Sequence, residues 1–232
     1  MVNHASGCEN ASLNEALRVS CNSVFAKLGD DVSRDKMVET AEKFGFNNPE
    51  IDTPVRASAS VYDKKMSRDG NAQSSIGQFN TAATPLQMAM VTAAIANDGK
   101  LMKPYMIDQL VSPSLDVIEK TEPEEMSRPV SSENAQLLQQ MMENVVENGT
   151  GGNAAIDGVK VGGKTGTAQH GENNSKNPYA WFISYAKTDN GSPVAVAVVV
   201  EDSNARRDDI SGGGLAAPIA KAVMQAVLGD KQ

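Results

Sequence analysis

The sequence predicts an α/β protein of the α+β kind: an antiparallel sheet flanked by helices. Three observations point there. Apolar residues recur at helical spacing through most of the chain, three strand-like runs follow one another late in it, and a further helical run closes it. Helices first and a run of antiparallel strands later imply a sheet with helices packed on it.

Taken in order, Ser12-Leu13-Asn14-Glu15 has the form of a capping box, with Ser12 as N-cap and Glu15 reaching back. A short helix through Leu17 follows. Ser20-Cys21-Asn22-Ser23 then makes a polar corner before the apolar pattern resumes at Val24 to Leu28. Ser33 can cap the next helix, where Met37, Ala41 and Phe44 share a face until Gly45 ends it. Residues 46 to 80 are rich in Asn, Asp, Pro, Ser and Gly and read as an irregular excursion, which at this length is usually functional or carries short elements that the pattern does not reveal.

Thr84-Pro85 opens a helix that runs to Asn97-Asp98-Gly99 and is apolar on nearly every side, which places it centrally. A second long helix spans about Ser132 to Asn148 and stops at Gly149. Gly158 to Gln169, Tyr179 to Lys187 and Pro193 to Glu201 read as successive strands, the last two joined as a hairpin by Asp189-Asn190-Gly191-Ser192. Gly212-Gly213-Gly214 reads as a flexible joint before a final helix, Leu215 to Leu228. Met88, Met90, Met141 and Met142 read as core filler, and Trp181 as buried against a helix.

With 232 residues, one domain is the default, and the chain is long enough to bury a substantial core. Forty per cent apolar and 22% charged is ordinary globular composition. A net charge of −8 argues against a nucleic-acid partner, since phosphate contacts need clustered Lys and Arg. No apolar run approaches a membrane span, and Met1-Val2-Asn3-His4 does not open a signal peptide. His and Cys residues do not cluster, so no metal site or other cofactor is expected. Cys8 and Cys21 either form one bridge or remain free thiols.

Gly162-Gly163-Lys164-Thr165-Gly166-Thr167 lies within a predicted strand, where three glycines in five positions need a reason. Close approach of another backbone is the usual one, and a ligand lying along the strand as an added strand would supply it. Period-two geometry puts Thr165 and Thr167 on one face, where two hydroxyls can hold a carboxylate, with Lys164 adding a cation. The plainer alternative is a bulge or strand end with a surface lysine. Ser20 and Asn22 admit two readings as well: a helix end followed by an N-cap, or a hydroxyl for proton relay beside an amide that donates and accepts. His170 reads as a solvated loop residue, and Arg206-Arg207-Asp208-Asp209 as a charged loop without a role.

A Ser-x-Asn at a helical corner followed far downstream by Lys-Thr-Gly on a strand resembles the penicillin-binding and serine β-lactamase group. Ser75-Ile76-Gly77-Gln78, Thr84 to Ala89, Ile95 to Gly99, Lys164 to Gln169, Ala180-Trp181-Phe182 and Ala216 to Ala220 extend the resemblance to the class B penicillin-binding proteins. The resemblance implies the penicillin-binding/serine β-lactamase-like transpeptidase fold and a D,D-transpeptidase that cross-links peptidoglycan stem peptides through a serine acyl-enzyme. It also implies β-lactam antibiotics as ligands. By the same likeness Ser20 relays a proton, Asn22 holds the substrate amide, Lys164 sets the local positive potential, and Thr165 and Thr167 bind the terminal carboxylate. Gly166 would leave room for the substrate backbone, and the Thr167 N–H would form half of an oxyanion hole.

Such enzymes carry their nucleophile in a Ser-x-x-Lys helix ahead of Ser-x-Asn, and no Ser-x-x-Lys precedes Ser20 here. Ser33-Arg34-Asp35-Lys36 follows it instead, and Ser184-Tyr185-Ala186-Lys187 lies in a strand, where positions three apart face opposite ways. Residues 1–232 therefore read as the carboxy-terminal portion of a transpeptidase domain, inactive alone, whose missing upstream part is also a partner. The alternatives are a non-catalytic module that binds a wall peptide or partner, and a β-lactamase, for which no deacylating Glu is recognisable. The family acts on the extracytoplasmic face of the cytoplasmic membrane, usually behind an anchor, and an oxidising location there would favour a Cys8–Cys21 bridge.

Overall fold

The computed structural model describes residues 8–51, 53, 57–188, 194–201 and 203–229. Helices α1 (Leu13–Arg18), α2 (Asn22–Val32), α3 (Arg34–Lys43), α4 (Arg68–Ser74) and α5 (Pro85–Ala96) come first. Four short strands follow: β1 (Leu101–Met102), β2 (Gln109–Val111), β3 (Val117–Lys120) and β4 (Glu125–Ser127). Then come α6 (Ser132–Asn148), β5 (Lys160–Ala168), β6 (Tyr179–Lys187), β7 (Val194–Val200) and α7 (Ala217–Gly229). The main sheet has the order β5-β6-β7 and is antiparallel throughout, with Lys164 opposite Ile183 and Ala186 opposite Val194.

Because β6 is central, alternate residues of it face opposite layers. Phe182 and Ala186 look toward α7, meeting Val161, Val196, Ala217, Ala220 and Met224. Tyr185 and Ile183 look the other way, into Ile95 and Ala96 of α5 and Met142 and Leu138 of α6. The sheet is therefore clad on both faces. Tyr185 and Phe182 are both fully buried, and their rings lean over β5. A Cβ on Gly162 would stand 2.4 Å from the Tyr185 ring, and one on Gly163 would stand 2.5 Å from the Phe182 ring. These two glycines are thus required by the chain's own aromatic core rather than by a ligand strand, which corrects the expectation for them.

The helix starts follow their caps. Thr84 accepts from the Gln87 N–H at 3.1 Å ahead of Pro85, and Ser131 accepts from the Asn134 N–H at 3.2 Å. Ser12 likewise accepts from the Glu15 N–H at 3.2 Å, but the Glu15 carboxylate pairs with Arg18 instead of returning to the cap. Ser33 sits at the N-cap of α3 without a side-chain capping bond.

The excursion 46–80 does carry a short element, α4, whose Asn71 side chain donates to the Gly29 carbonyl at 2.6 Å and so ties α4 to α2. Other expectations need correction. Two small ribbons, β1 with β4 and β2 with β3, form where no strand was read, because each is too short for its period to register. Gly212–Ala216 is no flexible joint: it is one wide helical turn capped by Ser211, whose hydroxyl accepts from the Gly214 N–H at 3.0 Å. Trp181 is only half-buried. The turn at Asp189 to Ser192 lies outside the described residues, although β6 and β7 pair antiparallel on either side of it. Among the described residues, no helix is long and apolar enough to cross a membrane.

The ring-over-glycine packing makes a direct prediction. Gly163→Ala should lower the urea midpoint by an amount equivalent to about 1–3 kcal/mol, the usual cost of overpacking a closed core. An unchanged midpoint would show that Phe182 yields freely.

Candidate functional site

Helix α1 ends in a Schellman arrangement. The Ser20 N–H donates to the Leu17 carbonyl at 3.3 Å and the Cys21 N–H to the Ala16 carbonyl at 2.9 Å, with Ser20 left-handed at φ 57°. Glycine usually fills that position, and a side chain there costs about 1 kcal/mol. The strained residue is thus the candidate proton-relay serine. Cys21, 1% exposed, is the N-cap of α2 and is disulfide-bonded to Cys8. Asn22 opens α2 and lines the same cleft.

The corner is held against the sheet through α6. Arg18 donates to the Asn148 carbonyl at 2.7 Å, and a Cβ on Gly149 would lie 2.6 Å from the Arg18 carbonyl. This contact brings Ser20 to Lys164 of β5, whose ammonium donates to Ser20 Oγ at 2.5 Å and to the Thr165 carbonyl at 2.9 Å. Thr165 Oγ1 stands 3.4 Å from the same ammonium. With its three donors turned toward three oxygens, Lys164 is fixed rather than free to swing. Burial pulls its pKa down from 10.5 to about 8, so it is mostly cationic at neutral pH but able to exchange a proton.

Lys164, Thr165, Gly166, Thr167, Ser20 and Asn22 all line one open cleft of about 2460 Å³. Its walls carry three basic side chains, Arg18, Lys164 and Arg207, against one carboxylate, Asp208, in a chain whose net charge is −8. That local excess favours an anionic ligand. Thr165 Oγ1 also meets Thr150 Oγ1 at 2.8 Å. Over Gly166 the Gly212 backbone descends so closely that a Cβ on Gly212 would stand 2.0 Å from the Trp181 carbonyl and 2.7 Å from that of Gly166. The close approach of another backbone to β5 is thus supplied by the protein itself and requires glycine at 212, whereas a Cβ on Gly166 would meet the Trp181 side chain at 3.1 Å.

Residues beyond those read from the sequence also border the cleft. Thr150, Asn153 and the Gly212–Gly214 turn form one wall, and Ser75, Gln78 and Phe79 lie at the other end. His170 is stacked on Tyr179, centroids 3.9 Å apart, and its Nε2 is 2.7 Å from the Asn177 carbonyl, so it is not a freely solvated loop residue. Arg207 has a role that its loop did not announce. It bonds Gln169 at 2.7 Å, the Asn174 carbonyl at 2.8 Å and the Lys176 carbonyl at 2.5 Å, clasping the β5–β6 connection. Only contact between distant loops reveals it.

Neither Ser-x-x-Lys string joins the site. Ser184 is fully buried in β6 without a hydrogen-bond partner, while Lys187 donates to Gln139 at 2.7 Å. Ser33 and Lys36 lie at the start of α3, outside the cleft lining. Among the described residues no group of His, Cys, Asp and Glu could hold a metal ion.

Comparison with known proteins places this geometry. Residues 2–225 match the family described as the penicillin binding protein transpeptidase domain. Peptidoglycan D,D-transpeptidase PbpA of Mycolicibacterium smegmatis is 41% identical over 218 residues, covering 94% of this chain and 44% of the relative. Its namesake from Mycobacterium tuberculosis is 38% identical over 221 residues, again covering 94% and 44%. The chain thus spans less than half the length of these curated relatives. A solved ceftriaxone acyl-enzyme complex of penicillin-binding protein A from M. tuberculosis superposes with a TM-score of 0.85 at 38% identity, covering 94% of this chain and 48% of that one.

Two measurements follow from the site. Because the folded state disfavours protonated Lys164, stability should rise between about pH 8 and pH 10.5, where the unfolded chain still binds the proton. In Lys164→Met that rise should vanish from the pH dependence of urea unfolding, and its persistence would place the titration elsewhere. Intact mass after alkylation without reductant should show no modified thiol. Reduction should lower the melting temperature, since closing a loop of this size is worth about 3 kcal/mol.

Proposed function

The chain belongs to the penicillin-binding protein transpeptidase family, and from that premise we propose that residues 1–232 are the carboxy-terminal portion of a D,D-transpeptidase domain acting on peptidoglycan. The observation that carries the reading is the Lys164–Ser20 hydrogen bond at 2.5 Å, which joins the two sequence motifs in one cleft. A lysine with a pKa near 8 beside a serine hydroxyl is a poised proton relay.

In this reading the nucleophile is a serine of a Ser-x-x-Lys segment outside these residues, docked beside Ser20. Its oxygen attacks the carbonyl of the penultimate D-alanine, forming the ester while the peptide C–N bond breaks. Ser20 passes the serine's proton toward the leaving amine, with Lys164 stabilising the charge during transfer. An acceptor amine then attacks the ester and releases the serine. The terminal carboxylate lies against Lys164, Thr165 and Thr167, Asn22 holds the substrate amide, and the Thr167 N–H donates to the developing oxyanion. Such a donor is typically worth about 3–4 kcal/mol. A β-lactam, which also presents a carboxylate beside a reactive carbonyl, would acylate the same serine.

Action outside the cytoplasm fits both the family's substrate and the Cys8–Cys21 bridge, since disulfides persist in oxidising compartments. A second reading, a non-catalytic module that binds a wall peptide, is favoured by one observation: no Ser-x-x-Lys pair reaches the cleft among the described residues.

Benzylpenicillin and intact mass separate the two. A longer chain bearing an upstream Ser-x-x-Lys should form a 1:1 adduct, and residues 1–232 alone should form none. Lys164→Ala in the longer chain should slow acylation by about 10²–10⁴-fold, the range for a lost acid–base group. Undiminished acylation in that variant would remove Lys164 from the mechanism, and no adduct on the longer chain would favour the binding module.

A further inference from the structure

We propose that Thr150, in the loop after α6, is a further positioning residue of this site: it orients the Thr165 hydroxyl toward a bound carboxylate and so helps select acids. The inference rests on the reading above, in which Thr165 binds the terminal carboxylate.

A hydroxyl has one proton to give and two lone pairs with which to accept. Thr165 Oγ1 has two neighbours, the Lys164 ammonium at 3.4 Å and Thr150 Oγ1 at 2.8 Å. Lys164 can only donate, so it takes one lone pair of Thr165. If Thr165 gave its proton to Thr150, it would offer an anion only a lone pair, which repels. If Thr150 donates to Thr165, both lone pairs are engaged and the Thr165 proton is released toward the cleft. An incoming carboxylate selects the second arrangement, because a hydrogen bond to a charged acceptor is worth more than one between two hydroxyls. Thr150 thus acts through Thr165.

The loop is built to hold Thr150 there. Its carbonyl is pressed by the Gly213 backbone, where a Cβ would stand 2.4 Å away, and the adjoining Gly151 N–H donates to the Val145 carbonyl at 2.9 Å. Asn153 donates to the Gly213 carbonyl at 2.9 Å, locking the loop to that turn. The Thr150 side chain itself is exposed at the cleft wall, so it fills no core space that its removal would empty.

The test is equilibrium binding to the 232-residue chain, followed by NMR titration with N-acetyl-D-alanyl-D-alanine and, separately, with its C-terminal amide. Wild type should prefer the acid. Thr150→Val keeps the shape and removes the hydroxyl, so it should weaken acid binding by about 5-fold, the size of one hydrogen bond, and leave the amide unchanged. Thr150→Ser should restore the preference. If Thr150→Val unfolds, Thr150→Ala replaces it in the same comparison. An undiminished acid preference in the variant overturns the role of Thr150 alone. No acid preference in wild type overturns the carboxylate site and Thr150 with it, while the acyl-transfer reading is decided separately by the penicillin adduct.

Discussion

Everything about the cleft depends on the left-handed turn at Ser20. A helix that ends in a Schellman motif turns its chain at a residue with positive φ just past its last turn. Here that residue is a serine, so the turn delivers a hydroxyl to Lys164 at 2.5 Å. Glycine would make the turn with less strain but would bring no chemistry. The cost is met by tethers on either side: the Cys8–Cys21 bridge, the Arg18 bond to the end of α6, and the lysine itself. A strained residue held by several independent contacts is what a preorganised site requires.

The strand that carries Lys164 is positioned by the opposite device, a lack of side chains. Gly162 and Gly163 allow the Tyr185 and Phe182 rings to lie across β5, and these rings anchor the sheet to α6 on one face and α7 on the other. Farther along the strand the missing side chain is that of Gly212, whose Cβ would strike the Trp181 and Gly166 carbonyls, so its turn settles on β5 just where the cleft begins. Bare backbone therefore serves packing at the start of the strand and the site wall near its end. This explains why α7 and the turn before it belong to the functional architecture although they hold no candidate catalytic group.

Electrostatics complete the arrangement. The protein is acidic overall, yet the cleft lining is basic, and Lys164 is buried enough to lose proton affinity without losing its charge at neutral pH. An anion entering the cleft meets a cation already fixed by three oxygens and two hydroxyls already linked to each other. Little reorganisation is then needed on binding, which is where such sites gain over water.

Local chemistry made much of this legible in advance. The caps at Ser12 and Thr84, the stop at Gly149, the three strands and the motifs around Ser20 and Lys164 are read from neighbours within a few residues, and the fold agrees with them. The order of motifs along the chain was enough to indicate the family. What the sequence could not determine were contacts between segments remote in the chain: the aromatic rings over Gly162 and Gly163, the Arg207 clasp, the rigid turn at Gly212 to Ala216, and the Thr150–Thr165 pair. Glycine illustrates the limit. Its local preference says only that space or an unusual dihedral is needed, and which neighbour takes the space is decided by tertiary packing.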